Sequence, residues 1–274
     1  MAENKRVRKR PNRTFSLRNL IQITKAWLEY NAINNKDYAL IEEAIRIPIC
    51  DYLAQVEGEI ILEKTIEEFE NNKKFDLYFK PQSGKSYYFE FKYVQEDYTS
   101  KPSEIERYFD DILRLRTKAR ESNTECYLLA FGVKEDFDDE FKNLKGKLEE
   151  DSEDPEAETA TIDVENDFNP YNQEANPPKK RVGRPPKYGY GNIYEEMFSF
   201  TEKETKIINT DSEHVIKLKE AFEKNYKVTK ASLEKNPNYR EQLYKVKTTC
   251  SYLLFNKDID FTGLGVWKVE ANDA

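Results

Sequence analysis

The chain has 274 residues, 38% hydrophobic and 13% aromatic, with a net charge of −8, which allows a sizeable core in one large domain or two small ones. Cys50, Cys126 and Cys250 are odd in number, far apart and without zinc spacing, and His214 is the single histidine. No apolar run reaches membrane-spanning length and the N-terminus is too basic and polar for a secretory signal, so a reduced, cytoplasmic protein without a membrane partner is expected.

Residues 1–14 are a basic tail carrying Lys5, Arg6, Arg8, Lys9, Arg10 and Arg13, suited to lie along phosphates or simply to solubilise. Helical spacing of Leu17, Leu20, Ile21, Ile23, Trp27 and Leu28 predicts a helix over 15–34. A second helix is expected from about Lys36 to Ile47, with Leu40, Ile41, Ala44, Ile45 and Ile47 on one face and Pro48 ending or kinking it. Strand-like runs follow at 59–69, 75–80 and 86–94, with turn signals at Asn71-Asn72 and Pro81-Gln-Ser-Gly84. Helical spacing returns over 103–121, and a short buried strand is expected at 125–133.

The character then changes. From Glu135 to Phe168 fifteen Asp and Glu against three Lys leave a local charge of −12, so the rest of the chain carries +4. A helix fits 135–148, but 149–191 is acidic and then rich in Asn and Pro, which predicts a linker. Helices at 211–226 and 228–247 and strands at 250–255 and 265–270 follow. These late strands are too few for a separate domain, so 192–274 is expected to complete the core begun by 15–148.

Three charges stand out in the apolar strands. Asp76 interrupts Phe75–Lys80, and Glu90 and Lys92 interrupt Tyr87–Val94. Charged groups in buried strands are costly unless paired or bound to a metal. Glu90 and Lys92 are two apart and leave the same face of one strand, a face that Asp76 on the preceding strand can reach. Two carboxylates and an ammonium on one sheet face suit a divalent cation and a water. An exposed cross-strand ion pair is the plainer alternative.

The αβββαβ order, with Phe75-Asp76, thirteen intervening residues and then Glu90-Phe91-Lys92, resembles the PD-(D/E)XK nuclease superfamily over roughly residues 36–133. Phe75 stands where that motif often has Pro. The resemblance implies an α/β restriction-endonuclease-like core: a central mixed β-sheet flanked by helices. It also implies Mg²⁺ or Mn²⁺ held by Asp76, Glu90 and the Phe91 carbonyl, with Lys92 orienting or deprotonating the attacking water. Many members add a glutamate from the preceding helix, here Glu42 or Glu43. On a helical wheel at roughly 100° per residue, Glu43 lies about 110° and Glu42 about 150° from the apolar centre, which favours Glu43. Of Arg107, Arg114 and Arg116 on the following helix, Arg107 is the expected phosphate contact.

Within the linker, residues 179–187 (KKRVGRPPK) look like an AT-hook. Lys180, Arg181, Gly183, Arg184, Pro185 and Lys187 would enter the narrow minor groove of A·T-rich duplex and flank it, since such grooves concentrate negative potential. Val182 departs from the usual Arg before the Gly. Together these features predict a metal-dependent DNA nuclease tethered to A·T-rich DNA, at the nucleoid in a bacterium, with a homodimer called for if it cuts both strands. The alternatives are a catalytically inactive nuclease-fold DNA-binding protein, or an interaction protein whose basic segments bind acidic partners.

Overall fold

Strand β3 (Ser86–Val94) is buried along most of its length, on both faces. A strand of that kind needs cover above and below and takes a central place in a sheet. The computed structural model describes residues 14–34, 36, 40–70, 73–95, 102–141, 193–254 and 262–272. Around β3 it sets β1 (Gly58–Thr65), β2 (Lys74–Pro81), β4 (Thr124–Val133), β5 (Thr205–Ile207), β6 (Val246–Leu254) and β7 (Thr262–Ala271). They form one seven-stranded sheet in the order β1-β2-β3-β4-β7-β6-β5. Only β3 and β4 run parallel, and parallel neighbours need a crossover, which α3 (Pro102–Lys118) supplies.

Helices cover both faces. Against one face, Leu20, Ile21 and Leu28 of α1 (Leu17–Ile33) and Ile45 and Ile49 of α2 (Glu42–Leu53) pack on Leu77, Phe79, Phe89, Phe91, Leu129 and Phe131. Against the other, Ile105, Tyr108, Phe109 and Ile112 of α3 pack with Cys126, Leu128, Ala130 and Trp267. That layer also holds Phe137 of α4 (Lys134–Phe141), Tyr194 of α5 (Ile193–Met197) and Phe222 of α6 (Glu213–Asn225). This is an α/β architecture with a mixed sheet between helical layers. All three cysteines are free thiols. No helix among the described residues is long and apolar enough to cross a membrane.

Several boundaries differ from the sequence expectation. Helix α2 starts at Glu42 and runs through Pro48, which is buried inside it. The missing N–H weakens one turn, yet Ile49, Tyr52 and Leu53 beyond it are buried and carry the helix on. The single helix expected over 228–247 is instead α7 (Lys230–Lys235), α8 (Tyr239–Leu243) and the start of β6. The break falls at Asn236-Pro237-Asn238, where proline disfavours helical geometry in the residue before it. Strand β1 ends at Thr65, and Phe69 makes only an isolated bridge to Val228. The basic tail, the acidic run beyond Phe141 and the hook at 179–187 lie outside the described residues. The strands that follow, β5 to β7, extend the same sheet.

Candidate active site

The strands β2 and β3 pair through Leu77↔Phe89, Tyr78↔Tyr88 and Phe79↔Tyr87. One step further, the ladder gives way to a side chain: the Phe91 N–H donates to Asp76 Oδ2 at 2.8 Å. A carboxylate here satisfies a backbone donor that a strand carbonyl would otherwise take. The neighbouring edge of β2 is distorted at the same level. Glu63 lies between the pairs Leu62↔Leu77 and Lys64↔Phe75, opposite Asp76, and has φ 53°. Left-handed backbone at a non-glycine residue costs on the order of 1 kcal/mol, and Glu63 shares it with Glu57, Asn123 and Lys203 among the described residues.

Glu90 and Lys92 point to the α3 side of the sheet. Their alternate neighbours Tyr88 and Val94 pack in the α3 layer, whereas Phe89 and Phe91 pack under α1 and α2. The Glu90 side chain is 1% exposed, so the plainer alternative of a solvent-facing ion pair does not describe it. Burial pushes the Glu90 carboxyl well above the usual carboxylate range; Arg114 opposes this, and neighbouring Asp76 adds to it.

Arginines and an aspartate from the flanking helices complete the cluster. Arg46 of α2 donates from Nη2 to Asp76 Oδ1 at 2.8 Å and stands 3.7 Å from Glu63. Arg114 of α3 places Nη1 3.3 Å from Glu90 Oε1, donates to the Lys74 carbonyl at 2.7 Å, and contacts Asp111 through Nη2. Lys92 Nζ lies 2.7 Å from Asp111 Oδ2, and the Asp111 side chain is 2% exposed. Charges therefore alternate from Glu90 through Arg114 and Asp111 to Lys92. Glu90 Oε1 and Asp111 Oδ2 are enclosed and lack a partner in hydrogen-bond geometry, yet each already lies against a cation, Arg114 at 3.3 Å and Lys92 at 2.7 Å.

Of the two glutamates at the start of α2, Glu42 faces this cluster. It is half-buried and lines the cleft with Lys92, while Glu43 is exposed. Burial raises the Glu42 carboxyl, Lys92 opposes this, and Asp76 raises it further. Glu43 lines an adjoining hollow of ≈ 310 Å³ together with Glu42, Lys92 and Arg107; the helical wheel ranked the pair on a helix ending at Ile47. The buried stripe of α2 is Ile45, Pro48, Ile49, Tyr52 and Leu53, and Glu42 lies one turn before Ile45 and Arg46. The cleft, of ≈ 630 Å³, runs along α3 and is lined by Glu42, Lys92, Arg107, Asp110, Asp111 and Arg114, among others. Arg107 sits at its mouth, 62% exposed and 3.1 Å from Glu104. Arg116 is buried and donates to the Lys245 carbonyl at 3.2 Å, a structural place in the core.

Sequence reasoning did not single out Arg46, Asp110 or Asp111. Asp111 stands three residues after Tyr108 and four before Leu115, on the apolar stripe of α3, and that misplaced charge is the signal the sequence offers. Asp110 hydrogen-bonds the Tyr226 hydroxyl, and burial pushes its carboxyl up to about 6. The inner cluster thus holds five carboxyl groups (Glu42, Asp76, Glu90, Asp110, Asp111) and three cations (Arg46, Lys92, Arg114). Fully ionised, these eight groups carry a net charge of −2, and Lys73, Arg107 and Glu106 line the same cleft. Among the described residues no group of three His, Cys, Asp or Glu side chains is gathered for a metal. The Asp76 and Glu90 carboxylates nonetheless come close enough to perturb each other, and the Phe91 carbonyl leaves β3 on the side of the N–H that meets Asp76. Two carboxylates and a carbonyl are a donor set that suits a hard divalent cation. The hook residues Lys180, Arg181, Gly183, Arg184, Pro185 and Lys187 lie outside the described residues. No protein-family model, curated protein or solved structure matches this chain.

Proposed function

We propose that the chain is a metal-dependent DNA nuclease with a restriction-endonuclease-like core, and that Asp76, Glu90 and Lys92 form its hydrolytic centre. The observation that carries this reading is that Asp76 meets β3 where the β2–β3 ladder ends, while the Glu90 carboxyl, on the α3 side of that strand, feels both Asp76 and Lys92. The order of α2, β1, β2, β3, α3 and β4 supports the fold assignment. Mg²⁺ or Mn²⁺ would be held by Asp76, Glu90 and the Phe91 carbonyl. When bound, such an ion polarises a phosphate and acidifies a water. Asp76 keeps β3 in place through the Phe91 N–H. Lys92, fixed by Asp111, would orient the water and offset charge that builds on the phosphate. Glu42 faces Lys92 across the cleft and would hold a second side of the water. Residues 179–187 would tether A·T-rich duplex.

A second reading has one observation in its favour. Asp76 and Glu90 each already face an arginine, at 2.8 and 3.3 Å, an arrangement that also suits a nuclease fold that binds DNA without cutting it. Plasmid incubated with the protein and its Lys92→Ala variant, in Mg²⁺ or Mn²⁺ and in EDTA, separates the two. The nuclease reading predicts cleavage by the unaltered protein alone, abolished by EDTA. Binding of DNA without cleavage of any DNA form would favour the inactive one.

A further inference from the structure

The cleft beside the carboxylates does not end at α3. Tyr226 closes it on one side and also walls a neighbouring cavity of ≈ 330 Å³. Glu223, Arg240 and Tyr244 are shared between that cavity and a third of ≈ 340 Å³. The three hollows adjoin in series, from Lys92 and Asp111 past the end of α6 to the start of β6.

In the outer two hollows the cations are Lys219, packed over the Tyr244 ring, Lys227, Arg240 and Lys245, and in the first hollow Lys73, over the Tyr226 ring, joins Lys92, Arg107 and Arg114. Surface lysines elsewhere divide between paired ones, such as Lys74, Lys85, Lys217 and Lys268, and ones with no ion pair among the described residues, such as Lys80, Lys203, Lys224 and Lys235. Lys227, Arg240 and Lys245 are exposed and have no carboxylate at ion-pair distance among the described residues. The carboxylates in the outer hollows are Glu70, Glu223 and Glu241, and Glu223 accepts the Tyr244 hydroxyl at 3.0 Å. Tyr226 and Tyr244 are themselves nearly covered, so the trough offers cations to a backbone rather than ring faces to bases.

Unpaired cations strung along a groove that opens from a phosphate-handling centre match a polyphosphate chain. We propose that this trough carries a DNA strand away from the hydrolytic centre, with Lys227, Arg240 and Lys245 contacting successive phosphates. The inference rests on the nuclease-fold reading for its direction, but it does not require that the protein cut DNA.

The test is binding of the full-length protein, in EDTA so that catalysis plays no part, to a labelled duplex and to the matching single strand over a range of salt. The variant is Lys227→Ala/Arg240→Ala/Lys245→Ala. Its control is Lys85→Ala/Lys268→Ala, two lysines already paired with Glu125. Loss of three phosphate contacts lowers the slope of log Kobs against log salt by about 2 to 3, at roughly 0.9 per contact on duplex and 0.7 on single strand. The trough is supported if the triple variant shows this drop and the control keeps the native slope; the form carried is the one that loses more contacts once each drop is divided by its own coefficient. An unchanged slope in the triple variant, or an equal drop in the control, overturns it. So does an unaltered protein that binds neither form at low salt. Failure of the nuclease reading looks different: DNA is bound with the expected slope, and nothing is cut when Mg²⁺ or Mn²⁺ is restored.

Discussion

Replacing Arg114 with methionine removes the one cation that touches both Glu90 and Asp111 while keeping most of the apolar volume. The Arg114 side chain is 14% exposed and its carboxylate partners are 1% and 2% exposed, so solvent cannot take its place. At 3.3 Å from Glu90, the attraction in an effective dielectric of roughly 20 is about 5 kcal/mol. Removing one partner of a buried pair typically costs about 3–5 kcal/mol, because a charge is left uncompensated. Glu90 can relieve part of that by taking a proton, since burial already raises its carboxyl. The expected loss near neutral pH is therefore at the lower end, about 3 kcal/mol. Urea unfolding in EDTA would read it as a midpoint lower by about 1 M for an m-value of about 3 kcal/mol/M. Adding Glu90→Gln to Arg114→Met should recover part of the loss, because the stranded charge is gone. A variant within about 0.5 kcal/mol of the parent, an ordinary surface effect, would refute the claim that Arg114 neutralises this centre.

Two more outcomes follow from the same geometry. Glu42→Gln should lower the single-turnover cleavage rate by about 10–100-fold, as loss of a supporting group at a metal centre does, whereas Glu43→Gln stays within about 2-fold; equal effects would contradict the placement of Glu42. For Asp110, the folded carboxyl is pushed up from 3.8 to about 6, so the native state holds the proton more tightly than the unfolded chain. Its stabilising share is present below about pH 4 and is lost as pH rises through about 6. Asp110→Asn keeps an acceptor for the Tyr226 hydroxyl and removes the titration. Its stability relative to the parent should climb by about 2 kcal/mol between pH 4 and 7, discounted for partial exposure. A difference that does not change with pH in urea titrations would dispose of this.

The sheet was largely legible in the sequence because buried strands have short apolar runs with few ways to be read. The runs at 75–80 and 86–94 became β2 and β3 within a residue or so. The helix between β3 and β4 was legible from its wide apolar stripe, which is what a crossover helix needs. The helix before the sheet was not, because Pro48 argues locally for a stop and only tertiary burial of Ile49 and Tyr52 overrides it. That single boundary decided whether Glu42 or Glu43 turns toward the cluster. Period-two spacing put Glu90 and Lys92 on one face, but it could not say whether that face was wet. The answer depends on α3, more than ten residues away in sequence. The arginines were illegible for the same reason: Arg46 reaches Asp76 across thirty residues, and no local pattern marks such a pair.

The most direct test of the central claim is a double-mutant cycle on single-turnover hydrolysis of a labelled DNA substrate in Mn²⁺, with Asp76→Asn, Lys92→Ala and the combined variant. If these residues act on one phosphate, each change lowers the rate by about 10²-fold or more, and the double is scarcely worse than the poorer single, as for groups that work as a unit. Rates unchanged by either substitution, or losses that simply multiply, would contradict a shared hydrolytic centre.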